Sequence, residues 1–242
     1  MKITRPLATA LCAPILLSSC ASGRSNAKDS VTGTPSIAPP VSSPQAVSTP
    51  EDNGTAATVL RSGFGIAQGG YAWVTSIVRN DSQRSGQTVT VHFNLKSAAG
   101  DLVASGDQVE AFSRPGQLLA AGTQVTIPAG TKPATLEATA QVEYPGIGSQ
   151  DAFPEIPFGP VTVQAGQFGG YQAKAILHNP TSTALKSPRV GVVCYGPSGT
   201  VIGGTSEFPD LVPPSGDTLV ATNNLEVSGR PTRCEMYAGP GA

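Results

Sequence analysis

Four cysteines and two histidines hold most of the nucleophilic and metal-ligating capacity of this chain, and their spacing leaves few ways to combine it. A serine or cysteine nucleophile needs a base within hydrogen-bond reach, and the imidazoles are His92 and His178. His92 has the outward parity of a segment whose odd positions, Val89, Val91, Phe93 and Leu95, are apolar, and His178 precedes the turn Asn179-Pro180. Both are expected in solvent, and a metal bound by the pair would require their segments to fold together. Asp101, Asp107 and Glu110 are close in sequence but lack the dense spacing of a calcium loop. Gly63, Gly65 and Gly69 invite comparison with a dinucleotide loop; the third glycine is one place late and no helix follows, so a β-turn is the better reading. No catalytic or metal-ligating residue is therefore assigned. One catalytic alternative stays open, a hydrolase with a carboxylate site between domains, because paired carboxylates need not be close in sequence.

The cysteines have clearer roles. Lys2 and Arg5 precede an uncharged, mostly apolar run over residues 6–17, which ends in Leu17-Ser18-Ser19-Cys20. A transmembrane helix needs about 20 apolar residues, so the run has the length of a signal peptide and not of a span. Leu17-Ser18-Ser19-Cys20 resembles the lipobox of bacterial lipoproteins. The resemblance implies cleavage between Ser19 and Cys20 and a diacylglycerol on the Cys20 thiol, with acyl chains such as palmitate. It places the protein on the extracytoplasmic side of the cell membrane, held by lipid. The other reading is an ordinary secretory signal with a chance cysteine, and either one exports the chain. Each buried methylene contributes about 0.8 kcal/mol, so more than one acyl chain gives a stable anchor. No other cofactor is expected.

The elements that must position anything further begin after residue 55. Residues 20–55 are rich in Ser, Thr, Pro and Ala, without an aromatic, and cannot bury enough apolar surface to offset the entropy of ordering. They read as a disordered tether. The remainder repeats itself. Gly69-Gly70-Tyr71-Ala72-Trp73 leads to Ile77, Val78 and Asn80, as Gly169-Gly170-Tyr171-Gln172-Ala173 leads to Ile176, Leu177 and Asn179. Gly116, Leu119, Ala121 and Val125 match Gly216, Leu219, Ala221 and Leu225. Period-two alternation at short intervals predicts an all-β chain of two tandem immunoglobulin-like antiparallel β-sandwich domains, of six or seven strands each. Their ranges are 56–146 and 156–242, joined by a linker over 147–155. Residues 113–121, with Pro115 and Gly116 inside, read as a turn and not a helix. Cys12 leaves with the signal peptide and Cys20 carries the lipid, so Cys194 and Cys234 remain as a pair. They align with Leu95 and Leu136, which suggests a disulfide joining two strands that face each other across the core. A free thiol pair or half a metal site are the rival readings.

Phe93-Asn94-Leu95, the turn Ala98-Ala99-Gly100, Pro115-Gly116 and the upstream Asn80 together resemble the FxLYD-type β-sandwich repeats of exported bacterial proteins. Lys96-Ser97 stands where that family prefers Tyr and Asp, and the second copy keeps Tyr195 but has Val192, Cys194 and Gly196. The resemblance implies an immunoglobulin-like fold and brings no catalytic residues with it. Tyr71, Trp73 and Tyr171 are the candidate recognition residues. Trp73 shares parity with Tyr71, Thr75 and Ile77, so a core role is its first reading and an exposed aromatic its second. A net charge of −1 with 13 % charged residues argues against nucleic acid as a partner. The expected function is a non-enzymatic binding or structural module of the cell envelope, facing another envelope protein or a cell-wall polymer. A small-solute capture protein is a further alternative. Of these, a flat patch favours the module, whereas a concave site with convergent polar groups and shifted titrations favours the hydrolase.

Overall fold

A computed structural model describes residues 57–67, 69–144, 153–166 and 169–241. The signal peptide and tether read over residues 1–55, with Ser19 and Cys20, lie outside these residues, as does most of the 147–155 linker. The described chain is all-β with antiparallel pairing throughout, and no helix occurs among the described residues.

The first copy forms six strands: β1 (Ala57–Ala67), β2 (Tyr71–Asn80), β3 (Gln87–Ser97), β4 (Leu102–Phe112), β5 (Leu118–Thr126) and β6 (Pro133–Glu143). The sheets β1-β2-β5 and β4-β3-β6 close on a core of Val74, Val78, Val89, Phe93, Leu95 and Phe112. In the second copy the strands are β7 (Thr162–Ala165), β8 (Tyr171–His178), β9 (Leu185–Lys186), β10 (Arg189–Tyr195), β11 (Val201–Glu207), β12 (Leu211–Val212), β13 (Asp217–Ala221), β14 (Glu226–Val227) and β15 (Arg233–Gly239). Here β13-β8-β7 faces β14-β11-β10-β15, and β12 pairs with β9 alone. The strand order of the first sandwich therefore recurs in the second, with β14 added at one edge. Of residues 113–121, expected as a turn, 113–117 form one and 118–121 already belong to β5.

A buried asparagine fixes the same corner in both copies. Asn80 Nδ2 donates to the carbonyls of Arg84 (3.0 Å) and Arg114 (2.9 Å), while its Oδ1 accepts from the Ser82 amide (3.0 Å) and hydroxyl (2.8 Å). Asn179 Nδ2 donates to Thr183 (2.8 Å) and Pro213 (3.0 Å), and its Oδ1 accepts from the Thr181 amide (3.0 Å) and hydroxyl (2.8 Å). An amide side chain with both its donors and its acceptor used in this way can be buried without an orphaned group.

These clamps also correct the repeat alignment. The Asn80 amide donates to the Gln117 carbonyl, and the Asn179 amide to that of Gly216, so Gly116 corresponds to Ser215 and not to Gly216. Both residues have positive φ, 68° at Gly116 and 47° at Ser215. A slip of one residue moves a strand's side chains to the other face. Leu219, matched above with the core residue Leu119, accordingly points outward opposite Ile176 and is 60 % exposed. The same count separates Tyr71 from Tyr171. Tyr71 lies on the outward parity of β2, whereas Tyr171 packs against the core of the second sandwich.

The disulfide Cys194–Cys234 is formed, but it joins neighbours within one sheet and does not cross the core. Cys194 of β10 stands directly opposite Cys234 of β15, with Cα atoms 4.1 Å apart, as Leu95 stands opposite Leu136 in the first copy. The alignment with leucines pointed to facing positions; cross-strand neighbours on the inward face satisfy that pattern as well as partners on two sheets.

Both sandwiches fall within one compact unit, Pro50–Ala242. The strand β2 explains how: Val74, Thr75, Ser76, Ile77 and Val78 are all buried, so both faces of its sheet are covered. Its even positions fill the first core. Ile77, with Ala120 of β5, meets Val193 and Tyr195 of β10 in a third apolar cluster. The sheets approach to backbone contact: a Cβ on Gly191 would collide with the Ala120 carbonyl, and one on Gly63 with the Val201 carbonyl. Across this junction the Arg189 guanidinium donates to the carbonyls of Ala120 (2.9 Å) and Gly122 (3.3 Å) and lies 2.6 Å from Glu110 Oε1. That carboxylate oxygen has charge contact with Arg189 but no aligned hydrogen bond. Burial pushes the Glu110 carboxyl up to about 7, against the opposing pull of Arg189.

Candidate functional site

The second copy departs from the first after Ala221. The chain leaves β13 through Thr222, Asn223, Asn224 and Leu225, then adds β14 to the edge of β11, where Glu226 and Val227 pair with Gly204 and Gly203. From there β14 reaches the first sandwich. The Ile66 amide donates to Ser228 Oγ (3.0 Å), the Ser228 hydroxyl donates to the Phe64 carbonyl (3.4 Å), and Gly65 leaves room for the Glu226 carbonyl. β14 is thus a bridge between the two copies.

A cleft of about 620 Å³ opens beside this bridge. The first sandwich contributes Ile66 and Gln124, and the second contributes Tyr171, Gln172, Asn223, Asn224, Glu226 and Arg230. Its polar side chains are held loosely. Gln124 Nε2 donates to Glu226 Oε1 at 3.4 Å, and Gln172 Nε2 to the Asn223 carbonyl at 3.3 Å. Glu226 Oε2 is buried without a hydrogen-bond partner, and burial pushes this carboxyl above its usual range. Among the described residues Glu226 is the one carboxylate in the lining. A second cleft of about 820 Å³, bordered by Val163, Gln164, Thr232 and Arg233, shares Tyr171 and Arg230 with the first.

Of the three candidate recognition aromatics, Tyr171 lines both clefts. Tyr71 is 42 % exposed and stands against Gly69, outside them. Trp73 is not in the first core, contrary to the first reading of its parity; it lies on the opposite face, between Gly65 and Gln124 of the neighbouring strands. Its Nε1 is buried, unpartnered and close to Gly122. The slip arose because β2 has two covered faces, so parity alone did not say which one was the core.

The histidines are strand residues, His92 half-buried and His178 exposed, each on an aspartate. His92 Nδ1 lies 2.7 Å from Asp107 Oδ1, and His178 Nδ1 lies 2.7 Å from Asp217 Oδ1. Both are directly opposed cross-strand pairs. Asp101, Asp107 and Glu110 do not converge: Asp101 accepts from Ser97 in a turn, Asp107 meets His92, and Glu110 is at the junction. Among the described residues no three His, Cys, Asp or Glu side chains gather as a metal site. At the described end of the 147–155 linker, Arg114 Nη1 donates to the carbonyls of Phe153 and Pro154, at the other end of β2 from the cleft.

A second polar cluster lies at the junction. Tyr195 and Tyr237 both donate to Glu235 Oε2, at 2.7 and 2.8 Å, and Arg233 pairs with Glu235 Oε1. The Arg233 guanidinium is 3.7 Å from the centre of the Tyr195 ring, and that of Arg61, from β1, is 5.5 Å away. Burial opposes ionisation of Glu235, yet the hydrogen bonds from Tyr195, Tyr237 and Arg233 bring it below the usual carboxylate range. Burial, then the Glu235 carboxylate, pushes Tyr195 up to about 12. Every member has a partner, so the cluster reads as a fastening of the junction and not as a reactive group.

Sequence reasoning missed Asn223, Asn224, Glu226 and Arg230. The Asn223-Asn224 pair and Gly229-Arg230-Pro231 were visible as turn signals, but nothing in them announced that β14 would change sheets. Neither a scan against protein-family models nor a search of curated proteins finds a match to this chain.

Proposed function

We propose that the chain is an exported lipoprotein, anchored through Cys20, whose paired sandwiches act as a non-enzymatic binding module of the cell envelope, with the cleft beside β14 as its binding surface. The surface is a concave cleft and not the flat patch expected of such a module; what carries this reading is the cleft's lining, which both copies share, with Gln124 of the first and Gln172, Asn223 and Asn224 of the second supplying amides and Glu226 the one carboxylate among the described residues. The lining is rich in amides, which bind without reacting, and its ion content is one carboxylate and one guanidinium. The lipobox and the FxLYD-type resemblance belong to the same reading, since both point to exported bacterial proteins. The partner is an envelope protein or a cell-wall polymer.

Two alternatives draw on the same cleft. A hydrolase is favoured by the cleft's concavity and by the raised carboxyl of Glu226, which resembles a general acid; against it, a two-carboxylate mechanism needs a second acid, and no other described carboxylate lines the cleft. Capture of a small solute is the other, for which an open groove is a poorer fit than an enclosed cavity. Fractionation of cells followed by chemical cross-linking tests the proposal. Wild type should sediment with membranes and yield cross-linked partners; Cys20→Ala should appear in the exported soluble fraction; Gln124→Ala with Asn223→Ala should stay on the membrane and lose the partners. Membrane retention of Cys20→Ala, or cross-links indifferent to the cleft, would refute it.

A further inference from the structure

The two clefts meet at Tyr171 and Arg230, so the lined surface is an elongated trough and not a single pit. Glu226 and Arg230 balance within the first cleft, and Arg233, which borders the second, is paired with Glu235, so an ionic ligand meets little net charge along the trough. What it offers instead is hydrogen bonding. Gln124, Gln172, Asn223 and Asn224 each carry a donor and an acceptor, the combination that matches a hydroxyl, which is also both. The hydrogen bonds at 3.3 to 3.4 Å among these groups are long enough to be exchanged for ligand contacts at little cost. Tyr171, at the meeting of the clefts, adds a ring surface.

We infer that the trough binds an uncharged oligosaccharide chain, which lies past Tyr171 and exchanges hydrogen bonds with the amides of Gln124, Gln172, Asn223 and Asn224. This inference rests on the binding-module reading and names its ligand class. An envelope polysaccharide has the required shape, since a linear polymer can occupy both clefts where a monosaccharide fills one.

Calorimetric titration of the full-length chain in a zwitterionic detergent, which avoids sugar headgroups, tests it. The probes are N-acetylglucosamine tetramer, cellotetraose, maltotetraose and glucosamine tetramer. At least one of the three uncharged tetramers should bind with a Kd of about 1 mM or tighter, its monosaccharide more weakly. Gln172→Ala and Gln124→Ala should each weaken binding by about tenfold without a change in melting temperature. The inference is overturned if no uncharged tetramer binds, if binding ignores both substitutions, or if the cationic glucosamine tetramer binds best. Absence of saccharide binding with cleft-dependent cross-links to an envelope protein retained overturns the glycan assignment alone; loss of both removes the binding module with it.

Discussion

Single residues at the junction carry more of this fold than their number suggests. Glu110 is buried beside Arg189, and its carboxyl is raised to about 7 because the loss of hydration outweighs the attraction of the guanidinium. A raised acid holds its proton more tightly in the folded chain than in the unfolded one. Stability from this group is therefore fullest below its ordinary value of 4.5 and is lost as pH rises through about 7. Urea unfolding should give a lower stability at pH 8 than at pH 5, by up to about 3 kcal/mol from this residue, and Glu110→Gln should remove most of the difference. A stability that rises over this interval in wild type and variant alike would contradict the account. Arg189→Ala tests the other half of the pair: it leaves Glu110 buried without a counter-charge and the carbonyls of Ala120 and Gly122 without a donor, and should cost about 3 kcal/mol or more.

At the scale of elements, the corners and the disulfide hold each sandwich in register. Asn80→Ala and Asn179→Ala each remove two carbonyl contacts and the acceptor for a turn amide, so each should cost about 2 kcal/mol or more in chemical denaturation. Replacing both Cys194 and Cys234 by alanine should cost about 2 to 4 kcal/mol, given the 40-residue separation they close. The repeat made much of this legible in the sequence. Apolar alternation marked strands such as β3 and β10, Asn80 and Asn179 marked the common corner, and the leucines opposite the cysteines in the alignment marked the disulfide. Register was where legibility failed. Gly116 and Gly216 attract one another in any alignment, yet the positive-φ position of the second copy is filled by Ser215, and the one-residue offset turned Leu219 outward. The cleft residues were illegible for a related reason: β14 has no counterpart in the first copy, so no repeat could announce it.

For the whole molecule, the junction turns two similar sandwiches into one unit with an asymmetric division of labour. The outward face of β4-β3-β6 in the first copy carries His92, Asn94 and Lys96, whereas the corresponding face of β10 in the second carries Gly191, Val193 and Tyr195 and is buried. The apolar and glycine composition of that face follows from its contact with β2 and β5. Gly191→Ala should force the sheets apart at Ala120, and the sole tryptophan, Trp73, reports on it from the same face. Its emission should shift to longer wavelength and the unfolding transition should broaden or split; an unchanged spectrum and a single sharp transition would mean that the approach of backbones is not what joins the copies. Because the cleft draws on both sandwiches, the proposed binding depends on the junction. Site-specific photo-cross-linking in intact cells tests that claim most directly, with the reactive group placed at Asn223 in the cleft or at Asn94 on the solvated face of the first sandwich. Adducts to an envelope component are expected from Asn223 and few from Asn94, with loss of the Asn223 adducts when Gly191→Ala is added. Equal labelling from the two positions, or no adducts from Asn223, would contradict it.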